Sequence, residues 1–416
     1  MNSNKILGSA LISIGTSIGA GILALPMVGA APGFLSSAGL LMGLWLVMTV
    51  TALLVVEINL TLPLTSNSFD AMAQKSIGSM GRMITWITLL CLHYALLAAY
   101  SSGASVLLSS LFSSAWGIIL PTGISALLFI GILGGAVFWS TKAVDYTNRF
   151  FISIKGLLLV AAIFLLMPHI DFTNITNPVV HEIGKHLGIA APIFLGAFGF
   201  LTTIPSLRLY VGDNRKALRI IVVCGSTIPL IIYLLWLLVN LGIVPLVGTE
   251  NSFFAIQSMG ASVAHLIDVI IHIVKNRWAS MALRGFSDIA MTTSFLGVSL
   301  GLFDFLADAF KRANSRVGRM QTALLTFIPP LIFTLFYPKG FIIALGYAAI
   351  FVGILEIILP AWMAYKLKDN RLIQQSIGAS KLTSLLFNRL VLFTIVVIGA
   401  AIIALQILIN LHVLSS

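Results

Sequence analysis

The chain alternates between long apolar runs and short polar connectors. Eleven runs can be marked, at about residues 6–30, 34–62, 83–112, 117–139, 150–167, 187–209, 217–241, 277–310, 323–337, 340–365 and 390–411. Most reach the roughly 20 residues that an α-helix needs to cross a hydrocarbon layer. Strands of an outer-membrane barrel would run to about 10 residues with alternating polarity. These runs are uniformly apolar, so the pattern predicts transmembrane helices. The ninth run is short and holds Pro329 and Pro330, which makes it the least regular. The longest connector, 242–276, carries an amphipathic stretch at 262–274. That stretch predicts a helix lying over the outer face of the bundle.

Composition agrees. The chain is 59% hydrophobic and only 9% charged, with a mean hydropathy of +1.06. Soluble domains carry about 25% charged residues, and disordered chains are polar. The 35 glycines follow no three-residue period, and there are 2 cysteines, so collagen and a disulfide scaffold are excluded as well. Cys91 and Cys224 both fall inside apolar runs.

The net charge of +11 is not a nucleic-acid patch, because the bases sit in the connectors between runs. Lys185, Lys275, Arg277, Arg284 and Lys339 belong to one alternating set of connectors, leaving 19 of the 24 bases in the other. The positive-inside rule assigns the rich set to the cytoplasm. The amino terminus is then cytoplasmic and, with eleven spans, the carboxyl terminus periplasmic. The first run has no small-residue cleavage site followed by a polar mature sequence, so it reads as a span rather than a removable signal. The expected organisation is one transmembrane core over 1–370. A cytoplasmic connection and the eleventh helix follow over 371–416.

Two runs are interrupted at corresponding places. The first holds Gly15, Thr16, Ser17, Gly19 and Gly21, then Pro26; the sixth holds Pro192, Gly196, Phe198, Gly199, Phe200, Thr202, Thr203 and Pro205. Glycine and hydroxyl residues in mid-span weaken a helix. In lipid a break is tolerated only where the freed backbone faces protein, water or a ligand. The bland reading of Gly15 and Gly19 is close packing of a small-xxx-small pair. Two breaks five spans apart point instead to an inverted-repeat transporter. The repeats would cover about 1–170 and 185–370, the second entering the membrane upside down. Half-helix starts favour a carboxylate, and half-helix ends favour an ammonium or Na⁺. A zwitterionic amino acid supplies both charges. No Gly-x-Gly-x-x-Gly follows a strand and no Walker lysine is present, so a phosphate loop is excluded.

Four segments resemble the hydroxy/aromatic amino acid permeases of the amino acid–polyamine–organocation superfamily, and within them the bacterial tyrosine-specific transport proteins. They are 15–26 (GTSIGAGILALP), 94–103 (YALLAAYSSG), 293–308 (TSFLGVSLGLFDFLAD) and 336–347 (FYPKGFIIALGY). The likeness runs from about residue 7 to about 362 and lapses in the 242–276 connector and after Tyr365. It implies an all-α membrane protein with a leucine-transporter-like 5+5 inverted repeat and discontinuous first and sixth helices. It also implies proton symport of an aromatic amino acid, L-tyrosine first, across a bacterial inner membrane, with no cofactor.

Lys155 is the most informative single residue, about one and a half turns into the fifth span. Its long stem would let it snorkel to the headgroups. Against that, Ala290, Thr293 and Ser294 have an Ala-x-x-Thr-Ser spacing that resembles the second sodium site of the leucine-transporter fold. Some proton-coupled relatives place a fifth-span ammonium there in the metal's stead. An ammonium removed from water gives up its proton more readily, so Lys155, Thr293 and Ser294 are the expected coupling group. Glu57, near the cytoplasmic end of the second span, reads as a second proton site or as an anchor paired with a base. Asp288 reads as a gate or proton site, or as the i+4 partner of Arg284. Asp304 and Asp308, followed by Lys311, read as a solvated helix end.

Tyr94 and Tyr100 in the third span, and Phe198 and Phe200 beside the sixth-span break, are the aromatic candidates for substrate contact. His93 reads as structural, and the 7 histidines show no metal spacing. Glu356 in the tenth span has no evident partner in the sequence. A polytopic enzyme would need a dense polar constellation, and no Ser/His/Asp group or His-x-x-x-His pair is present. A channel would need charged rings or repeated filters. Tryptophan, phenylalanine and serine stay open as substrates, as does Na⁺ in place of H⁺.

Overall fold

A computed structural model describes residues 3–64, 68–176, 182–248, 250–258, 260, 262–311, 315–369, 373–375, 380–411 and 413. All regular structure among them is helical. Ten helices are long and apolar enough to span a membrane, and a bent pair makes an eleventh span. The first span is α1 (Ser3–Ser17) and α2 (Leu25–Gly29), joined through a 3₁₀ turn at Ala20–Ala24. Spans two to five are α3 (Phe34–Asn59), α5 (Ser79–Trp116), α6 (Thr122–Trp139) and α7 (Thr141–Leu166), with the short α4 (Phe69–Ile77) before α5. A four-residue turn, α8 (Thr173–Thr176), precedes the sixth span. That span is α9 (Ile183–Ala197) and α10 (Ile204–Val211). Then come α11 (Arg215–Ile243), α12 (Phe253–Ser258), α13 (Val263–Val274), α14 (Arg277–Ala309) and α15 (Arg316–Phe336). The tenth span is α16 (Phe341–Val352) and α17 (Leu359–Leu367), joined by a π-helical turn at Gly353–Ile358. After α18 (Lys381–Leu386) the chain ends in α19 (Arg389–Asn410).

Neighbours come in exchanged pairs. The third span packs on the tenth, as the eighth packs on the fifth. The first packs on the seventh, as the sixth packs on the second. The third touches the fourth, as the eighth touches the ninth. Swapping spans one to five for six to ten maps this contact pattern onto itself, as a two-fold between inverted repeats requires. Outward-facing apolar side chains such as Leu35, Ile119, Trp139 and Phe164 remain exposed; their solvent is lipid.

Two departures from the sequence pattern have local causes. The expected ninth run at 323–337 starts seven residues earlier, at Arg316, and its proline pair stays helical. Pro329 has no N–H for the Leu325 carbonyl, and the Tyr94 hydroxyl donates to that carbonyl at 2.8 Å instead. The tenth span, expected as a plain helix, holds the π turn around Glu356.

Bases of the rich connectors close helix ends. Arg208, buried, donates to the carbonyls of Asn59 and Leu62 at the end of α3, and Lys75 donates to Thr61 O at 2.6 Å. Arg319 donates to the carbonyls of Val137 and Phe138 at the end of α6. Each cation meets the negative pole of a helix whose last carbonyls have no intrahelical partner. Glu57 lies in the same layer. Its Oε1 accepts from Arg219 at 2.7 Å, its Oε2 is 3.4 Å from Arg215 Nε, and Arg219 also donates to Thr383 Oγ1. Glu57→Ala leaves two bases without their carboxylate and should cost about 3 kcal/mol, as breaking a buried pair does. The measurement is a denaturation curve in detergent. A double change with Arg219→Ala should cost less than the two single changes added together.

Candidate functional site

Both breaks open on one cavity of about 690 Å³, within the range of small-molecule sites. Gly15, Thr16, Ser17, Gly19 and Gly21 line it from the first span, and Gly196, Ala197, Gly199 and Thr202 from the sixth. The cavity runs on past Leu89, His93, Asn148 and Arg149 to the ends of α5 and α7 that carry the rich connectors. Asp145 and Arg149 form an ion pair of 2.9 Å on that route. Away from it, Trp236 and Phe286 pack edge to face at 5.5 Å, both fully buried, and neither lines the cavity.

At the first break α1 stops at Ser17, Gly19 turns to extended backbone, and the two halves meet at 43°. The carbonyls released there are taken up by side chains. Lys155, buried, donates from Nζ to Ile18 O at 2.6 Å. Ser294 accepts the Ala20 N–H at 2.9 Å. A Cβ on Gly19 would stand 3.2 Å from the Ser294 hydroxyl and 3.9 Å from that of Tyr100. Thr16 and Ser17 line the cavity, but their hydroxyls donate back to Ile12 O and Ser13 O of their own helix. Thr293 likewise donates to Ala290 O.

At the second break Phe198, Gly199 and Phe200 leave the helix. Tyr233, from the seventh span, lies 2.6 Å by its hydroxyl from both Ser17 O and Ala197 O, the two half-helix ends. On the far side of the break the Glu356 carboxylate accepts the Leu201 N–H at 3.5 Å. Sequence reasoning missed both residues. A carboxylate in an otherwise apolar span was the signal for Glu356. Tyr233 had none, since its value lies in a contact with two distant segments.

The predicted residues therefore divide. Lys155, Thr293, Ser294, Tyr100, Gly199 and the five first-span residues share the cavity wall. Phe198 and Phe200 are fully buried and do not line it; Phe198 packs edge-on against Tyr233 at 5.2 Å. Tyr94 points to Leu325 in α15. Glu57 sits in the basic layer. Asp288 is half-buried in α14 outside the cavity, and Arg284 pairs instead with Asp268 at 2.8 Å. Asp304 and Asp308 are exposed. His93, read as structural, does line the cavity. Its Nδ1 donates to Leu89 O at 2.7 Å, which leaves Nε2 as an acceptor.

Comparison with known proteins places this geometry. The tryptophan/tyrosine permease family profile matches residues 2–405. Tyrosine-specific transport system 1 of Haemophilus influenzae is 40% identical, over 87% of this chain and 88% of its own. The tryptophan-specific transport protein of the same organism is 36% identical over 87% of each chain. The low affinity tryptophan permease of Escherichia coli is 33% identical over 86% of each. Among solved structures, MhsT in complex with L-phenylalanine superposes with a TM-score of 0.64 at 14% identity, covering 95% of this chain and 98% of that one. Mhp1, a nucleobase-cation-symport-1 family transporter, gives 0.51 at 13% identity, covering 96% and 90%. At such identities the likeness is one of fold, the leucine-transporter type. With its paired broken spans, shared cavity and a sequence match along nearly its whole length, this chain is a multi-pass membrane permease, not an enzyme, and belongs to the tryptophan/tyrosine permease family.

Proposed function

We propose that the protein imports an aromatic amino acid, L-tyrosine first, by proton symport across a bacterial inner membrane, with the basic connectors in the cytoplasm. The observation that carries this reading is the buried Lys155 ammonium on the Ile18 carbonyl, at the break of the first span and on the cavity wall. A cation at that carbonyl holds the break closed. Loss of its proton removes the charge and weakens the hold on the carbonyl, so occupancy of the break follows the proton. The tyrosine-specific relative at 40% identity supports the substrate, and the tryptophan-specific relatives keep the indole analogue as the nearest competitor. The two repeats, about 1–170 and 185–370, rock about the cavity, which here runs toward the basic face.

The substrate is held by its backbone-like end. Its carboxylate lies against the N–H groups that start the second half of the first span and against the Tyr100 hydroxyl, which is beside Gly19 and makes no hydrogen bond among the described residues. Its ring occupies the apolar wall formed by Ile193, Leu345, Ala348 and Val352.

Uptake of labelled L-tyrosine into proteoliposomes, with pH and sodium gradients imposed separately, tests the coupling. Accumulation should follow the pH gradient alone; accumulation driven by sodium alone would place a metal at Thr293 and Ser294 and overturn the lysine scheme. Lys155→Gln should lower gradient-driven accumulation by roughly tenfold or more, the size of a typical coupling energy, while exchange at equal pH persists. Tyr100→Phe should raise the KM for tyrosine about tenfold, as loss of one hydrogen bond to a charged group does. Measured against the des-carboxyl amine as competitor, the same change should have little effect.

A further inference from the structure

The cavity holds two buried ionic side chains that are not paired with each other or with any other charged side chain among the described residues. Lys155 meets a carbonyl at the first break, and Glu356 meets amides at the second. Their spans, the fifth and the tenth, are exchanged by the same two-fold that exchanges the broken spans. The two breaks are thus each clamped by the last helix of their own repeat, with opposite charge.

Glu356 is 2% exposed. It is carried on the π turn at Gly353–Ile358, a feature often found at functional sites. One carboxylate oxygen accepts the Leu201 N–H, and the Phe200 N–H also faces the group. The other oxygen lies 3.8 Å from the point a Cβ on Gly199 would occupy, so the missing side chain leaves it open to the cavity. A carboxylate accepts about four hydrogen bonds, and two amides leave it half served. Out of water it is costly unless a cation reaches it. The remaining ion pair on the cavity wall, Asp145 with Arg149, is already neutral. A ligand ammonium is a cation of the right charge and size to meet it.

We propose that Glu356 binds the α-ammonium group of the transported amino acid. The carboxylate keeps its hold on the start of the second half of the sixth span while its open oxygen receives the ammonium beside Gly199. The protein would then select for a free, charged amine whatever the side chain. This assignment rests on the amino acid transporter reading above.

Binding of labelled L-tyrosine to the purified full-length protein, competed by L-tyrosine and by 3-(4-hydroxyphenyl)propionate, tests it. The second compound keeps the ring and carboxylate but has no amine. In the wild type it should compete about a hundredfold more weakly than tyrosine, the scale set by an unpaired buried charge. In Glu356→Gln the affinity for tyrosine should fall at least about tenfold, while that for the amine-free acid is unchanged or improved, so that the ratio collapses. Glu356→Asp, which keeps the charge, should retain the ratio. Equal weakening of both compounds in Glu356→Gln would mean that Glu356 only caps the break, and overturns the proposal. Should Glu356→Gln fail to fold, the wild type decides with tyramine, which has the amine and no carboxylate. Tyramine competing no better than the amine-free acid overturns the proposal. A wild type that binds tryptophan or phenylalanine but not tyrosine moves the test to that label. A wild type that binds none of the three overturns the transporter reading together with this one.

Discussion

A peptide group released from a helix inside a membrane has no water to turn to, and the rest of this molecule is arranged around that constraint. Each break frees carbonyls on one side and N–H groups on the other. Side chains from other spans take them up: Lys155 and Tyr233 on the carbonyls, Ser294 and Glu356 on the amides. None of the four is on a broken span. The helices that flank the breaks therefore carry the chemistry. A movement of the fifth, seventh, eighth or tenth span changes which backbone groups remain for a ligand.

The same physics operates at the basic face. Sequence counts present those bases as markers of orientation. The structure uses several as caps: Arg208 and Lys75 on the end of α3, and Arg319 on the end of α6. Topology and helix termination are served by the same guanidinium groups. That coupling explains why a guanidinium as buried as Arg208 is tolerated: its donors are matched by the Asn59 and Leu62 carbonyls and by Asp213 at 2.7 Å.

What could be read in advance was whatever has a period or a local signature. The spans and both breaks follow from run length and misplaced glycines; the grouping of Lys155 with Thr293 and Ser294 came from the family resemblance, and all three line the cavity. Residues whose meaning depends on direction could not be read. Tyr94 and Tyr100 share a helix six residues apart, yet one relieves a proline-induced gap in α15 and the other faces the cavity. Phe198 and Phe200 flank the break and point into protein, while the glycine between them lines the space. Glu57 and Glu356 are both carboxylates within apolar runs. Only three-dimensional contact shows that the first has two arginines and the second, among the described residues, has none.

Tyr233 carries a further implication. Its hydroxyl has a single proton and stands at equal distance from two acceptors on separate half-helices. It can donate fully to one only, and the other then keeps a bare lone pair at the heart of the bilayer. If either half-helix swings away, the proton passes to the one that stays, and no hydrogen bond is lost. The phenol acts as an arbiter between the repeats, lowering the penalty for moving one relative to the other without favouring either.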